Sequence, residues 1–272
     1  MADRGYDIGR NLILEERYAD GNMEQIPALI AELLALHVDV LVTIGTQISR
    51  AAQRATATVP IVCMSGDPVR AKLVASLAHP GGNITGMSLL SGDYSAKWLS
   101  LLNEVAPQLH QVAVLQNLDN PGIAAEAARM QQSAPALGLE LMTFSARPSE
   151  IETSLAALAT ASVDGLVVTD DPILERLMLR LIALTAQKHL PALYGFSTAP
   201  KFGGLMSYSA DFLAMWRRNA GYVDRILKGA SPADLPVEQA TEVTLNINLL
   251  TAKALGITVP QSLLARANEV IE

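Results

Sequence analysis

The chain has 272 residues, 50% hydrophobic and 17% charged, which excludes a disordered polypeptide and suffices for one large α/β domain or two lobes with separate cores. A net charge of −7 and an aromatic content of 4% argue against nucleic acid as a partner, because such partners require basic surface and stacking platforms. No apolar run reaches the ~18–20 residues of a membrane span, and the polar start Met1-Ala2-Asp3-Arg4-Gly5-Tyr6 does not read as a signal peptide, so either the protein is cytoplasmic or a leader has been removed.

In chain order, residues 12–17 read as a strand, followed by a turn at Asp20-Gly21-Asn22. Asn22 then caps a helix to about Leu36, with Ile26, Leu29, Ile30, Leu33 and Leu34 on one face. Residues 38–45 and 60–65 have the short continuous apolar runs of buried strands, with a helix to about Ala55 between them. Cys63, the single cysteine, lies inside the second run and reads as a core thiol. A helix over 70–78 and a strand near 84–87 follow. The pattern then restarts with helices over 94–105, 123–137, 150–159 and 173–188, and strands over 111–116, 139–144, 165–168, 191–194 and 203–208. The tail reads as a long helix over 211–227, an extended segment over 235–247, a short helix over 248–255 and a closing helix over 261–270.

Alternation with short connections predicts an α/β fold of parallel sheets covered by helices on both faces. Right-handed crossovers place each loop that follows a strand on the same edge of its sheet, the ligand-facing edge of open α/β folds. These loops begin at Gly45, Gly66, Thr85, Asn117, Thr169 and Tyr194. Two of them, Gly66-Asp67-Pro68-Val69 and Pro80-Gly81-Gly82-Asn83-Ile84-Thr85-Gly86, combine backbone access from Gly with turn-forming Asp, Asn and Pro.

Several stretches in order resemble one family: Glu16-Arg17-Tyr18-Ala19-Asp20-Gly21-Asn22, Asp39-Val40-Leu41-Val42-Thr43-Ile44-Gly45-Thr46, the two loops above, Leu73-Val74-Ala75-Ser76-Leu77-Ala78, Gly204-Leu205-Met206-Ser207-Tyr208, and the segment from Ala220 to Ala230. The chain resembles the ABC-transporter substrate-binding proteins of the TrpX-like group nearly end to end. That resemblance implies a two-lobed periplasmic-binding type I fold with a ligand clamped in the cleft by hinge closure, and three crossings between lobes. Lobe one would hold residues 1–90 and 209–234, and lobe two 91–208 and 235–272. It also implies ABC permease subunits as partners, a periplasmic or membrane-anchored location in full-length relatives, and small polar metabolites as ligands, amino acids and aromatic ones included. Relatives carry a further strand and helix before the stretch that is here Gly5-Tyr6. Lobe one is therefore expected to be incomplete, and a homodimer to cover its exposed edge. The alternatives are a stand-alone cytoplasmic sensor of the same fold, or a truncated relic that binds nothing.

An amino-acid zwitterion needs donors for its carboxylate and acceptors for its ammonium. Thr46 offers a hydroxyl and helix-start N–H groups, or simply an N-cap, and both can hold. Gly66 offers its backbone. Asp67 either accepts from an ammonium or caps the following helix, and Thr85 and Gly86 carry the same ambiguity. Asn117 is the cleft candidate of its loop, with Asn120 reading as the cap before Pro121. Of Asp170 and Asp171, one caps the helix begun by Pro172; Asp170 is preferred for the ligand. Tyr194 and Tyr208 are either aromatic walls or core residues. The histidines His37, His79, His110 and His189 pair with no nucleophile and show no metal-ligand spacing, and no nucleophile elbow or phosphate loop is present. No catalysis, metal or cofactor is expected.

Overall fold

The computed structural model describes residues 1–20, 22–89, 94–240 and 243–272. In chain order its elements are α1 (Ile26–Ala35), β1 (Leu41–Ile44), α2 (Thr46–Ala55), β2 (Ile61–Ser65), β3 (Ile84–Ser88), α3 (Tyr94–Val105), β4 (Gln111–Gln116), α4 (Pro121–Ser133), β5 (Glu140–Ser145) and α5 (Ile151–Thr160). They continue with β6 (Gly165–Val168), α6 (Pro172–Arg176), α7 (Met178–Gln187), β7 (Ala192–Tyr194), β8 (Met206–Ala210), α8 (Phe212–Leu227), β9 (Glu238–Gln239), β10 (Val243–Asn248), α9 (Leu249–Ala254), α10 (Gln261–Leu264) and β11 (Glu269–Ile271). Two compact units result: unit 1 is Met1–Ser91 with Phe212–Thr241, and unit 2 is Gly92–Asp211 with Glu242–Glu272. The chain thus passes between units three times.

Unit 1 contains a parallel sheet in the order β1-β2-β3-β9. Ile61 and Cys63 of β2 pack with Ile26, Ile30 and Ala52 of α1 and α2, while α8 lies against β2 and β3. Burial raises the Cys63 thiol to about 12, so it stays a protonated core group. β1 ends the sheet. Its Leu41 is buried, but Val42 and Ile44 are 43% and 39% exposed. The start of the chain is tied to α8 by Tyr6, whose hydroxyl donates to Asp224 over 3.0 Å.

Unit 2 has seven strands in the order β11-β10-β8-β7-β6-β4-β5. Alternation along β4 explains its two cores: Val112 and Val114 join the cluster with α3, whereas Ala113 and Leu115 join the cluster with α5 and α7. Trp98 of α3 is fully buried and donates from its indole nitrogen to the Tyr208 carbonyl over 2.7 Å. All neighbouring pairs are parallel except β8 with β10, which run antiparallel; the sheet is mixed rather than purely parallel.

Several elements differ from the sequence reading. Residues 12–17 form no strand: a single bridge joins Ile8 and Leu12, and Ile13 is 82% exposed. Residues 70–78 form turns because Lys72 adopts φ +55°, which ends helical propagation. The helix expected over 173–188 breaks at Leu177 into α6 and α7. The closing helix stops at Leu264, and Glu269–Ile271 pairs with β10. Residues 235–241 belong to unit 1 where the sequence assigned 235–272 to lobe two: Val237 joins the unit 1 core and its N–H donates to the Leu77 carbonyl over 2.7 Å. The first expected crossing, between residues 90 and 91, lies outside the described residues.

Candidate functional site

Each unit gathers polar loops at the carboxyl ends of its parallel strands. In unit 1, Gly45 turns the chain from β1 into α2 at φ +92°, a conformation that only glycine adopts without strain. Thr46 follows at the first position of α2, buried, with Oγ1 hydrogen-bonded to the Ser65 hydroxyl at 3.0 Å and accepting the Gly66 N–H at 3.3 Å. The Ser88 hydroxyl donates to the Gly66 carbonyl over 2.8 Å. Thr46, Ser65, Gly66 and Ser88 therefore form one network that locks the three loops together. With its side chain engaged in this way, Thr46 can offer a ligand chiefly the amides of its helix start. Asp67 uses Oδ1 to accept the Arg70 N–H at 2.9 Å, which closes a turn rather than capping a helix, since residues 70–78 are not helical.

Thr85 and Gly86 do not lie on this edge. Both sit inside β3; Thr85 is fully buried and donates to the Leu235 carbonyl over 2.6 Å. Gly86 lies opposite Cys63 in the ladder, where a Cβ would stand 2.2 Å from the Cys63 carbonyl oxygen. These two residues serve strand packing. Tyr194 is also a framework residue, fully buried with its hydroxyl 2.9 Å from Thr185 Oγ1. Tyr208 is half-buried against the core that contains Trp98.

In unit 2, β4 and β6 are hydrogen-bonded neighbours, which brings their following loops together. Asp171 is the hub. It caps α6 by accepting the Ile173 N–H at 3.0 Å on Oδ1, and its Oδ2 accepts from Asn117 at 3.3 Å and Asn120 at 3.2 Å. That bonding assigns Asp171 to capping and separates it from Asp170. Asp170 is partly exposed, and no donor among the described residues reaches its carboxylate. Burial, then the charges of Glu175, Glu126 and Asp171, hold its pKa well above the usual carboxylate range. Gly195 fixes its position: a Cβ there would meet the Asp170 backbone nitrogen at 2.6 Å.

Sequence reasoning missed Glu126, Ser65, Ser88 and Gly195. For Glu126 a signal existed. Ile123, Glu126 and Met130 share one helical face, and all three are buried. Among the described residues, no group of three or more His, Cys, Asp or Glu is arranged to hold a metal ion. No described helix is long and apolar enough to cross a membrane.

A family model for ABC transporter substrate binding proteins matches residues 1–271. The chain belongs to that family. This substrate-binding protein is 25% identical over 261 residues to a tyrosine-binding protein of Clostridioides difficile (strain R20291), an alignment covering 94% of this chain and 74% of that protein. Its fold matches a conserved domain protein from Vibrio cholerae O1 biovar eltor with a TM-score of 0.91 and 30% identity, over 99% of this chain and 90% of the other. It also matches an ABC domain from Streptococcus pneumoniae solved in complex with L-Trp, with a TM-score of 0.90 and 25% identity, over 99% and 91% of the two chains. The family and the fold that the motifs implied are thus those of this substrate-binding protein.

Proposed function

We propose that this chain is the solute-binding component of an ABC import system for an aromatic amino acid, and that it binds its ligand without chemical conversion. The observation that carries the ligand class is Asp170, a partly exposed strand-end carboxylate that no donor among the described residues reaches, beside a fully bonded Asp171. A ligand ammonium supplies the missing donors. The tyrosine-binding relative and the L-Trp complex favour an aromatic side chain. Delivery to permease subunits, and an exported or membrane-anchored location, follow the family. The exposed Val42 and Ile44 on one face of β1 support a second copy as cover for that face; a solution mass of one chain contradicts the dimer.

A thermal-shift panel tests the ligand class. At ~100 times its dissociation constant a ligand adds about 2.7 kcal/mol of stability. L-Trp and L-Tyr are expected to raise Tm by several degrees. Their N-acetyl derivatives, dicarboxylates and sugars are expected to leave it unchanged. A shift for sugars alone would overturn the assignment.

A further inference from the structure

Resting on the reading of an ammonium-bearing ligand, we propose that Gly195 is a specificity-determining residue of the unit 2 edge: its bare Cα sets where the Asp170 carboxylate stands, and a side chain at this position costs the protein its preference for an ammonium. Asp170 stands between fixed neighbours. Val168 ends the β6–β7 ladder opposite Tyr194, and its carbonyl accepts the Gly195 N–H at 2.8 Å. Thr169 is pinned to β4, where the Leu115 carbonyl accepts both its N–H and its hydroxyl at 3.2 Å. Asp171 is spent on Asn117, Asn120 and Ile173. Asp170 itself has no hydrogen bond among the described residues, so packing is what locates it.

Gly195 supplies that packing. The chain bends at Gly195 and Phe196, immediately after β7. In a pleated strand a Cβ points out of the sheet, away from the neighbouring backbone. At Gly195 it would instead point into the next chain. The three nearest atoms are the backbone nitrogen, Cα and Cβ of Asp170, at 2.6, 2.9 and 2.9 Å, against the 3.4 Å at which ordinary contact begins. All three belong to the residue read as the ammonium acceptor. Turn geometry does not explain this glycine, because its φ is not positive. Gly204 gives the contrast: a Cβ there would meet the Tyr194 ring at 2.9 Å and the Ala199 carbonyl oxygen at 3.1 Å, both framework groups. No rotamer relieves a contact made by Cβ itself, so Gly195→Ala must displace the Asp170 backbone. Asp170 can yield, since no hydrogen bond holds it, and the variant is expected to fold with its carboxylate out of place. Charge-assisted hydrogen bonds are directional, so the displacement weakens the ammonium contact and spares the apolar contacts of the ligand.

Calorimetric titration of the full chain with L-Trp and L-Tyr, and with indolepropionate and phloretate, which lack only the ammonium, reads the preference as a ratio of Kd values. Gly195→Ala is expected to weaken amino-acid binding roughly tenfold and to leave the des-amino acids unchanged, so the ratio collapses. In the Asp170→Asn background the same substitution is expected to change amino-acid affinity by less than about twofold, because the group it displaces has already lost its charge. Gly204→Ala, which crowds framework groups alone, is expected to lower Tm and keep the wild-type ratio; a collapsed ratio there would make the effect a general one of crowding this loop and overturn the inference. A folded Gly195→Ala variant with the wild-type ratio, or an undiminished loss in the Asp170→Asn background, would also overturn it. So would a variant that does not fold, since Gly195 would then be a framework residue like Gly86. A wild type that binds neither amino acid, or Asp170→Asn with unchanged affinity, removes the parent reading and this inference with it.

Discussion

Asp170→Asn is expected to weaken amino-acid binding by about 100-fold while leaving the unliganded protein as stable as the wild type or more so. A carboxylate that meets an ammonium forms charge-assisted hydrogen bonds, and removing one partner of such a contact costs roughly 3 kcal/mol. Folding stability runs the other way. The Asp170 carboxylate has no donor among the described residues, and burial together with the charges of Glu175, Glu126 and Asp171 opposes its ionisation. A neutral isostere relieves that opposition, the usual relation between a binding group and the fold that carries it. Calorimetry and a thermal melt on the same preparation separate the two effects. Unchanged affinity would remove Asp170 from the subsite. A large loss of stability would make it a framework residue like Asp171.

Gly86→Ala is expected to cost unit 1 on the order of 4 kcal/mol. Gly86 has φ +131°, and its added Cβ would lie 2.2 Å from the Cys63 carbonyl oxygen and 2.6 Å from the Cys63 nitrogen. Those atoms are backbone in the paired strand, held by the ladder that aligns Cys63 with Gly86. No side-chain rotation can relieve the contact, so β2 and β3 must separate. The unfolding of unit 1 should then move to lower urea, followed by Trp216 on α8, while Trp98 in the unit 2 core reports the other unit. An alanine variant with the wild-type midpoint would show that the strands yield more readily than the geometry allows.

Gly86 also shows where the sequence stops being legible. A glycine at a strand-like segment declares that something approaches its backbone closely; it does not say whether that is a ligand or a neighbouring strand. The same holds for Tyr194, whose type suits a binding wall and a core equally, and whose bond to Thr185 decides for the core. The unit 2 edge was read more fully. The turn residues Asn117, Asn120, Asp170 and Asp171 were visible by type and spacing, and Pro172 marked which helix needed a cap. Which carboxylate was free depended on hydrogen bonds across neighbouring loops, which no local pattern encodes. Glu126 was within reach, since a charged residue between Ile123 and Met130 at helical spacing must be buried. The tail and residues 12–17 were misread because strand and helix patterns there are short. Pairing of β10 with β8 and β11, over long sequence separations, fixed what local propensity left open.

The measurement that tests the central claim most directly is a calorimetric titration of the purified chain with L-Trp and L-Tyr at neutral pH. Binding of at least one of them at a single site per chain, lost on Asp170→Asn, is the expected result. A cooperatively folded protein that gives no heat with either amino acid would contradict the assignment.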